Sequence, residues 1–333
     1  MSFCLPASLA AAIETLAASQ RHDEVARRLA LISTHYRQGR TSEVAIATPA
    51  DVAAYLSARM PATYAAVCAA LSATRELMPD FSPLSLLDLC AGPGTASFAA
   101  LSLWPEISAL TLVDTNPRFL DAARSLGETS GVSAMREAKF IRSNLASAYD
   151  GLSADVVMMS YALVELPLDE IAEHARRAWE LSRELLLFVE PGTPEGFRRI
   201  LICRDALIEK GAHLVAPCPH LEACPMPQPA WCHFTQRLAR SRRHRLVKAA
   251  QTSYEDEPFI YLAFARTVET LRPRGRLVSR ARVSKAQLRF GLCRDDGHLV
   301  EEVVARRDRE RFARLRHAAW GDALFPDGPR NEP

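Results

Sequence analysis

The sequence predicts an α/β protein built on a doubly wound parallel sheet, with a helical extension before it and a cysteine-bearing, strand-containing segment after it. Three observations support this prediction. Five short apolar runs alternate with helical stretches in the middle of the chain, a glycine loop follows the first run, and five prolines then interrupt the alternation. Such alternation is typical of parallel sheets, because each parallel crossover needs a long connection that is usually a helix.

Residues 1–80 are predicted to form the helical extension. Apolar residues recur at helical spacing over 9–18 and 24–37. A third helix is expected to begin with the Thr48-Pro49 pair, in which the threonine can cap the helix and the proline suits its first turn. Pro61 is expected to kink or split that helix, because a proline removes a backbone hydrogen bond.

Residues 81–215 contain the alternating pattern. The buried-strand candidates are 84–89, 109–113, 140–142, 155–160 and 185–189, and the helical stretches lie near 95–104, 117–127, 168–183 and 194–211. The sequence therefore predicts that this segment is the doubly wound core of the protein.

Residues 216–333 follow a different pattern. The five prolines within 217–229 exclude a regular helix and a central strand there. Strands are predicted to resume at 259–265, 287–293 and 299–304. The Arg-Asp-Asp-Gly turn between the last two of these favours a hairpin.

The composition is that of a globular chain without a membrane-spanning segment. Of its 333 residues, 48% are hydrophobic and 24% are charged, which excludes global disorder. No apolar run approaches the roughly 20 residues of a membrane-spanning helix. The first 18 residues carry Glu14 and no basic residue, unlike a signal or transit peptide. We therefore expect an intracellular protein, located in a bacterial cytoplasm.

Positive charge is concentrated in two strips that contain no acidic residue. The chain has 41 basic and 39 acidic residues, a net charge of only +2, yet the second basic strip, 271–290, alone holds seven basic residues. The first basic strip, 236–248, holds Arg237, Arg240, Arg242, Arg243, Arg245 and Lys248. Arginine favours bidentate phosphate contacts, so we predict that the first strip binds RNA. The alternatives are a merely solvated basic helix and the arginine bias of a GC-rich genome.

A glycine loop follows the first predicted strand and opens a helix. It reads Asp88-Leu-Cys-Ala-Gly92-Pro-Gly94-Thr95. Glycine lets the backbone approach a ligand closely, and a helix N-terminus presents free N–H groups. Asp114 ends the next strand, where an acid can accept both hydroxyls of a ribose. The pattern predicts a nucleoside-binding cleft, and a tight turn with a helix-capping aspartate is the alternative.

The loop resembles the first motif of class I S-adenosylmethionine-dependent methyltransferases more than a dinucleotide fingerprint. The resemblance implies that Gly92 and Gly94 form the cofactor loop. It also implies that Asp88 faces the amino group of S-adenosylmethionine, that Asp114 faces its ribose and that Asn144, after the third strand, faces its adenine.

The catalytic residue is not identified by any motif. Tyr161 and Glu165 follow the fourth predicted strand, where catalytic residues of this class usually lie, and they are the two candidates. No Asn/Asp-Pro-Pro-Tyr motif for amino methylation occurs there, and no catalytic cysteine for carbon-5 methylation of pyrimidines. The whole chain holds only four lysines, so a lysine-based ribose methyltransferase tetrad is hard to build.

Four of the eight cysteines form a candidate metal site. Three crowd into 15 residues and the fourth lies between strand-like segments: Cys218, Cys224, Cys232 and Cys293. In an intracellular protein such clustering favours metal over disulfides. Zinc held by four cysteines, or by three with His220 or His233, is one interpretation. An iron–sulfur cluster on four thiolates is the second, and cysteines without metal are the third.

Eight short stretches spread over most of the chain after residue 50 belong to one family pattern. They are 58–64, 88–95, 190–194, 216–220, 231–234, 254–257, 291–293 and 320–322. Through them the chain resembles the methyltransferase-like proteins of the small ribosomal subunit, known from mitochondria and many bacteria. Ala230 departs from the pattern, since the family often has an acid before Trp-Cys-His.

This resemblance implies S-adenosylmethionine as a cofactor and a role in assembling or stabilising the small ribosomal subunit through contact with its rRNA. It also implies a 4Fe–4S cluster on Cys218, Cys224, Cys232 and Cys293. Assembly intermediates are the expected partners, with no membrane partner, and off the ribosome we expect a monomer. Methylation of the rRNA is left open. The alternatives are a methyltransferase of a protein or small molecule and a non-catalytic, redox-sensing protein that carries the cluster.

Overall fold

Five helices precede the first strand in the computed structural model, which describes residues 3–37, 41–147, 151–248, 250–267 and 270–325. They are α1 (Ala7–Ala17), α2 (His22–Arg37), α3 (Ser42–Ala45), α4 (Pro49–Ala58) and α5 (Met60–Arg75). The predicted cap is confirmed: the Thr48 hydroxyl accepts from Asp51 N at 3.2 Å, and the Asp51 carboxylate accepts from Thr48 N at 2.8 Å. The predicted break near Pro61 is confirmed as well, because α4 ends and α5 begins on either side of Arg59.

Eight strands form the central sheet. They are β1 (Ser85–Leu89), β2 (Ala109–Asp114), β3 (Lys139–Arg142), β4 (Ala154–Ser160), β5 (Ser182–Pro191), β6 (His213–Ala216), β7 (Phe234–Ala239) and β8 (Tyr254–Ala265). The order is β3-β2-β1-β4-β5-β8-β6. β6 pairs with the C-terminal part of β8, and β7 pairs with its N-terminal part. The first five strands are parallel, and β8 runs antiparallel to them. This order confirms the predicted class I methyltransferase-like fold.

The central sheet has an apolar core on each face, because successive residues of a strand point to opposite sides. In β1, Leu86 packs into one core and Leu87 into the other. The helices that cover these faces, together with α5, are α6 (Thr95–Leu103), α7 (Pro117–Ser130), α8 (Ser133–Arg136), α9 (Ile171–Leu181) and α10 (Pro194–Glu209). A single turn of 3-10 helix at Leu163–Glu165 follows β4.

A second, antiparallel sheet lies beyond β8. Its strands are β9 (Gly275–Leu277), β10 (Arg282–Val283), β11 (Gln287–Arg294), β12 (Leu299–Ala305) and β13 (Ala323–Leu324), and α12 (Arg309–Leu315) packs near it. β11 pairs with β12, β10 and β9, and β13 pairs with β9. The predicted hairpin is confirmed, since β11 and β12 pair from Gln287 with Ala305 to Cys293 with Leu299.

The boundary predicted between residues 215 and 216 does not separate the two sheets. β7 and β8 lie after it in the sequence, yet both belong to the central sheet, because β8 inserts between β5 and β6. The first basic strip is not one helix either: Arg237 lies in β7, three of its arginines lie in α11 (Arg242–Val247), and Arg240 and Lys248 flank that helix. Within the described ranges, no helix is long and apolar enough to span a membrane.

Candidate functional site

β1, β2 and β4 end at the same edge of the central sheet, and we call the region beside their ends the strand-end cleft. Gly92 and Gly94 have φ angles of +55° and +77°, a region that favours glycine. A Cβ on Gly94 would lie 2.9 Å from Met135 Cε and 3.1 Å from Leu112 Cδ2, so no larger residue fits without displacement. The two glycines therefore permit the close turn that joins β1 to α6.

Asp88 connects β1 to the helix that follows it. Its Oδ2 accepts from the Ser97 hydroxyl at 2.6 Å and from Ser97 N at 3.1 Å, at the start of α6. Its Oδ1 is buried without a hydrogen-bond partner. Burial raises the pKa of this carboxyl to about 7. One oxygen of Asp88 thus holds the start of α6, and the other remains able to accept a hydrogen bond.

Asp114 holds the glycine loop from the end of β2. Its Oδ2 accepts from Gly92 N and its Oδ1 from Asn116 N, both at 2.7 Å. Burial raises its pKa. Each carboxylate oxygen has a second lone pair, so the side chain can still accept from two hydroxyl groups. Asn144 lies apart from this arrangement: it is exposed, and its Oδ1 accepts from Ser147 N at 3.0 Å in the turn after β3.

The strand-end cleft is rich in buried acids. Burial raises the pKa of Glu165 to about 7 and that of Glu190 to about 8. Glu190 Oε1 accepts from the backbone of Ala162 and Leu163, whereas Oε2 is buried without a hydrogen-bond partner. The Cys90 thiol lies near these carboxyls, and its pKa rises far above the usual range through burial first and their charges second. A cleft of this kind favours a cationic ligand.

Two residues beside the cleft have left-handed backbones although neither is glycine. Cys90 has φ +57° and Tyr161 has φ +55°, and each is the first residue after a strand, β1 and β4 respectively. Such conformations are costly and cluster at functional sites. The sequence contained no signal for them, because neither residue type prefers this region.

The two catalytic candidates are both engaged. The Tyr161 hydroxyl donates to Glu257 Oε1 at 3.1 Å, and Arg59 Nη2 lies 3.6 Å from the same oxygen. Burial raises the pKa of Tyr161 well above its usual value, so the phenol stays protonated. Glu165 Oε2 accepts from Ser42 N at 2.8 Å. Arg59, Glu257 and Ser42 were absent from the predicted site, because their proximity depends on long-range packing.

The segment 42–46 connects the ends of β2 and β4. Its amide at Ser42 bonds Glu165, after β4, while the carbonyls of Ser42 and Ile46 accept from Asn116 Nδ2, after β2, both at 3.1 Å. β1 lies between these two strands. The helical extension therefore contributes a wall of the strand-end cleft.

The four predicted metal ligands line one cavity, which we call the cysteine cavity. Cys218, Cys224 and Cys232 come from the connection between β6 and β7, and Cys293 comes from β11. Burial raises the pKa of Cys293 to about 12 and that of Cys232 well above its usual range. Across the described part of the chain, no three His, Cys, Asp or Glu side chains form a group that could hold a metal ion.

The two histidines considered as ligands lie in different places. His220 lines the cysteine cavity, and its Nε2 is 3.3 Å from Cys293 Sγ. His233 does not line it and instead packs between Trp231 and Trp320, at ring centroid distances of 5.4 Å and 4.4 Å. Of the two, only His220 is placed to interact with a group in the cavity.

The first basic strip is largely neutralised by β8. In the antiparallel register Arg237 pairs with Asp256, and Glu255 accepts from Arg240 and Lys248. These acids lie outside the strip, 7 to 19 positions along the chain from the basic residues that they pair with.

Arg243 was predicted to bind RNA, and the structure contradicts this prediction. Its Nε donates to Ser57 Oγ at 3.0 Å and its Nη2 to Ala17 O at 2.8 Å, so it is buried against the helical extension. Arg242 and Arg245 are exposed and form no ion pair within the described ranges. Only these two residues of the strip present a free charge to a partner.

Comparison with known protein families identifies the family of this chain. A family model described as the mitochondrial small ribosomal subunit protein Rsm22 matches residues 49–325. The chain belongs to this family. The match covers the strand-end cleft, the cysteine cavity and both sheets, and it confirms the resemblance found in the sequence.

Relatives of this Rsm22-family chain include the human mitochondrial ribosome assembly protein METTL17. It is 26% identical over 303 residues, which cover 84% of this chain and 65% of the relative. Two Rsm22-cox11 tandem proteins of Schizosaccharomyces pombe, also mitochondrial, are 26% identical over 332 residues and are covered to 43%. The chain thus spans less than two thirds of the length of these relatives.

Solved methyltransferase structures also resemble the chain. Magnesium protoporphyrin IX methyltransferase from Synechocystis with bound S-adenosylmethionine is 16% identical, covers 62% of this chain and 78% of its own, and has a TM-score of 0.40. An O-methyltransferase family protein from Burkholderia thailandensis is 18% identical, covers 68% of this chain and 62% of its own, and has a TM-score of 0.43.

Proposed function

We propose that this protein binds small-subunit rRNA and acts in assembly of the small ribosomal subunit, with S-adenosylmethionine in the strand-end cleft and a 4Fe–4S cluster in the cysteine cavity. The observation that carries the proposal is the family match over residues 49–325, which includes both sites. The predicted compartment is a bacterial cytoplasm, whereas the named relatives are mitochondrial proteins.

Exposed arginines supply the RNA-binding surface in this proposal. Arg242 and Arg245 offer free charges on α11. On the second sheet Arg282 lies directly opposite Arg289, and both are exposed. Arg289 forms an ion pair with Glu301 at 3.3 Å, so Arg282 carries the uncompensated charge that would contact a phosphate. Arg237, Arg240 and Lys248 pair with the acids of β8 instead.

The residues of the strand-end cleft fit S-adenosylmethionine. The ligand carries a sulfonium and an ammonium group, and the cleft is lined by buried acids with raised pKa values. Asp88 Oδ1 and Glu190 Oε2 have no hydrogen-bond partner and are free to accept from it. The loop at Gly92 and Gly94 allows close approach of the backbone. When bound, the ligand would supply an electrophilic methyl group.

The geometry distinguishes the two candidate residues for methyl transfer. A general base must reach the proton that it removes and have a pKa near the working pH. The phenol of Tyr161 is held protonated against Glu257, and Glu165 is bonded to the segment 42–46. Tyr161 thus fails this pKa condition, whereas Glu165 meets it with a pKa of about 7 and is the remaining candidate base for methyl transfer.

The cysteine cavity fits an iron–sulfur cluster by the chemistry of its donors. Four soft sulfur donors converge on one cavity, and thiolates are the ligands of such clusters. Around a single zinc ion, four sulfurs would lie about 3.8 Å apart, because each Zn–S bond is about 2.3 Å long. Zinc on the same four cysteines is therefore the alternative, and metal analysis of the purified protein distinguishes the two.

The test compares cells that lack the gene with cells carrying Asp114→Ala or Cys218→Ser. Subunit assembly is followed by sucrose-gradient profiles, and rRNA methyl groups are mapped in the purified subunits. We expect assembly to fail without the gene and with Cys218→Ser. Loss of one rRNA methyl group in the Asp114 variant, with assembly intact, would establish an enzyme. Normal assembly without the gene would contradict the proposal.

A further inference from the structure

Two buried arginines line the cysteine cavity. Arg204 belongs to α10 and is 1% exposed, and Arg276 belongs to β9 and is 3% exposed. One therefore comes from a helix on the central sheet and the other from the second sheet. A guanidinium is costly to bury unless its charge and its hydrogen bonds are matched.

Both arginines hold the backbone of the segment that contains Cys218. Arg204 Nη2 donates to the carbonyls of His220 at 3.1 Å and Glu222 at 2.6 Å. Arg276 Nε donates to the Pro217 carbonyl at 2.8 Å, and its Nη1 donates to the Gly321 carbonyl at 2.9 Å. These acceptors are neutral, so they satisfy hydrogen bonds without balancing the buried charges.

Each arginine also keeps one buried N–H group without a partner. These atoms are Arg204 Nε and Arg276 Nη2. Arg204 has one ion pair, with Asp205 at 3.3 Å, whose side chain is mostly exposed. Arg276 forms no ion pair among the described residues, and Glu76 and Asp322 lie nearby at longer range. The cavity therefore has positive charge and donor groups that are not fully matched by the described residues.

We infer that Arg204 and Arg276 are the counter-charges of the metal–thiolate group in the cysteine cavity, and that their unpaired N–H groups donate to its sulfur atoms. The inference rests on the cluster proposed above. Four thiolates around a doubly charged core leave two excess negative charges, which two guanidinium groups balance. The same residues are positioning residues, because they hold the Cys218 segment.

This assignment has a consequence for the redox properties of the cluster. One-electron reduction adds a negative charge, which a nearby guanidinium stabilises. Replacing either arginine with an uncharged residue should therefore shift the midpoint potential to a more negative value. It should also speed the release of metal to a chelator, because sulfur atoms lose donors that stabilise the thiolate form.

The test uses the anaerobically purified full chain and its variants Arg204→Met and Arg276→Met. Dithionite titration followed by electron paramagnetic resonance gives the midpoint potential, and metal release to a chelator gives a rate. We expect a more negative midpoint and release several-fold faster for both variants. Arg243→Met is the matched control: Arg243 is also buried, but its partners are Ser57, Ala17 and Glu14, and it does not line the cavity. It should change neither value.

The outcomes separate this inference from the cluster proposal. A wild-type chain with neither iron nor zinc would overturn both. Iron in the wild type with unchanged midpoint and release in both variants would overturn the inference alone, and for a zinc-bound chain unchanged release would do the same. If the methionine variants fail to fold, Arg204→Lys and Arg276→Lys take their place. These keep the charge and should release metal near the wild-type rate; rates as fast as that of Cys218→Ser would show a packing role instead.

Discussion

The strand-end cleft and the cysteine cavity both bury polar groups without partners, but the charges of these groups have opposite signs. In the cleft the unpaired charged groups are the carboxyls of Asp88 and Glu190, and in the cavity they are the guanidinium groups of Arg204 and Arg276, beside the neutral His220 Nδ1 and Tyr261 hydroxyl. The cleft is thus prepared for a cation and the cavity for an anion. In each site the unpaired charged groups are thus opposite in sign to the ligand proposed for it.

The two sites also differ in how the chain builds them. The cleft is built from one contiguous loop and the ends of adjacent parallel strands. Its main residues are therefore joined by the regular helical crossovers of the sheet. The cavity joins a proline-rich connection to β11 and to both sheets. Its segment has little apolar core of its own, so ligand binding and folding should be coupled more strongly in the cavity than in the cleft.

Cys218→Ser should have the largest effect, on the cysteine cavity. We expect the anaerobically purified wild type to be brown with about four irons per chain, and the variant to lose the colour, most of the iron and thermal stability, because a ligand is missing. Iron analysis and thermal unfolding measure this. Cys4→Ser, at an exposed cysteine, is the control and should match the wild type. A colourless wild type with one zinc would favour the zinc alternative.

Asp114→Ala tests the strand-end cleft. Two charge-assisted hydrogen bonds to a ribose contribute about 1.5–3 kcal/mol each, so the Kd for S-adenosylmethionine should rise by about 100-fold or more. Isothermal titration calorimetry measures this Kd. Asp121→Ala is the control, because Asp121 is exposed and contacts only Arg124. Equal affinities in the two variants would remove Asp114 from the site, and iron content should be unchanged in both.

The charge of the cleft should make its affinity depend on pH. Because burial raises the pKa of Glu190 to about 8 and that of Glu165 to about 7, both ionise as pH rises from 6 to 9. Affinity for the cationic ligand should therefore increase several-fold over this range, with protons released on binding. Titrations in buffers of different ionisation enthalpy measure the release. Glu190→Gln should reduce the increase, and a flat wild-type profile would contradict a cationic ligand.

The same carboxyl has the opposite effect on folding. An unfolded glutamate ionises near pH 4.5, whereas Glu190 in the folded protein ionises near 8. The folded state thus holds a proton that the unfolded state has lost, and stability falls as pH rises from about 4.5 to about 8. The loss is at most about 1.4 kcal/mol per pH unit. Glu190→Gln should show a smaller loss in denaturant titrations.

The surface arginines should give the smallest effect. Arg242→Ala with Arg245→Ala should weaken rRNA binding several-fold and lower the slope of affinity against salt by about one per contact, with no change in stability. Filter binding over a salt series measures both quantities. Arg243→Ala is the matched comparison: it should lower stability by about 1–3 kcal/mol, because it leaves buried partners unsatisfied. Unchanged affinity and slope in the double variant would place the RNA surface elsewhere.

Local signals in the sequence predicted most of the elements. The Thr48 cap, the break after Ala58, the glycine loop and the hairpin of β11 and β12 each depend on residues a few positions apart. The alternation of apolar runs and helices predicted the parallel strands and hence the cleft at their ends. Family motifs added the four cysteines as a set, and all four line one cavity.

By itself, the sequence determined the elements, the class of fold and the residue types that each site contains. Only the tertiary structure decided that β8 enters the central sheet, that its acids neutralise the first basic strip, and that Arg243 bonds Ser57, 186 positions away. It also brought Arg204 and Arg276 to the cysteines. Capping and turn preferences depend on residues a few positions apart, so they can be predicted from the sequence. The energy of a charge depends on the groups around it in space, which are known only once the tertiary structure is known.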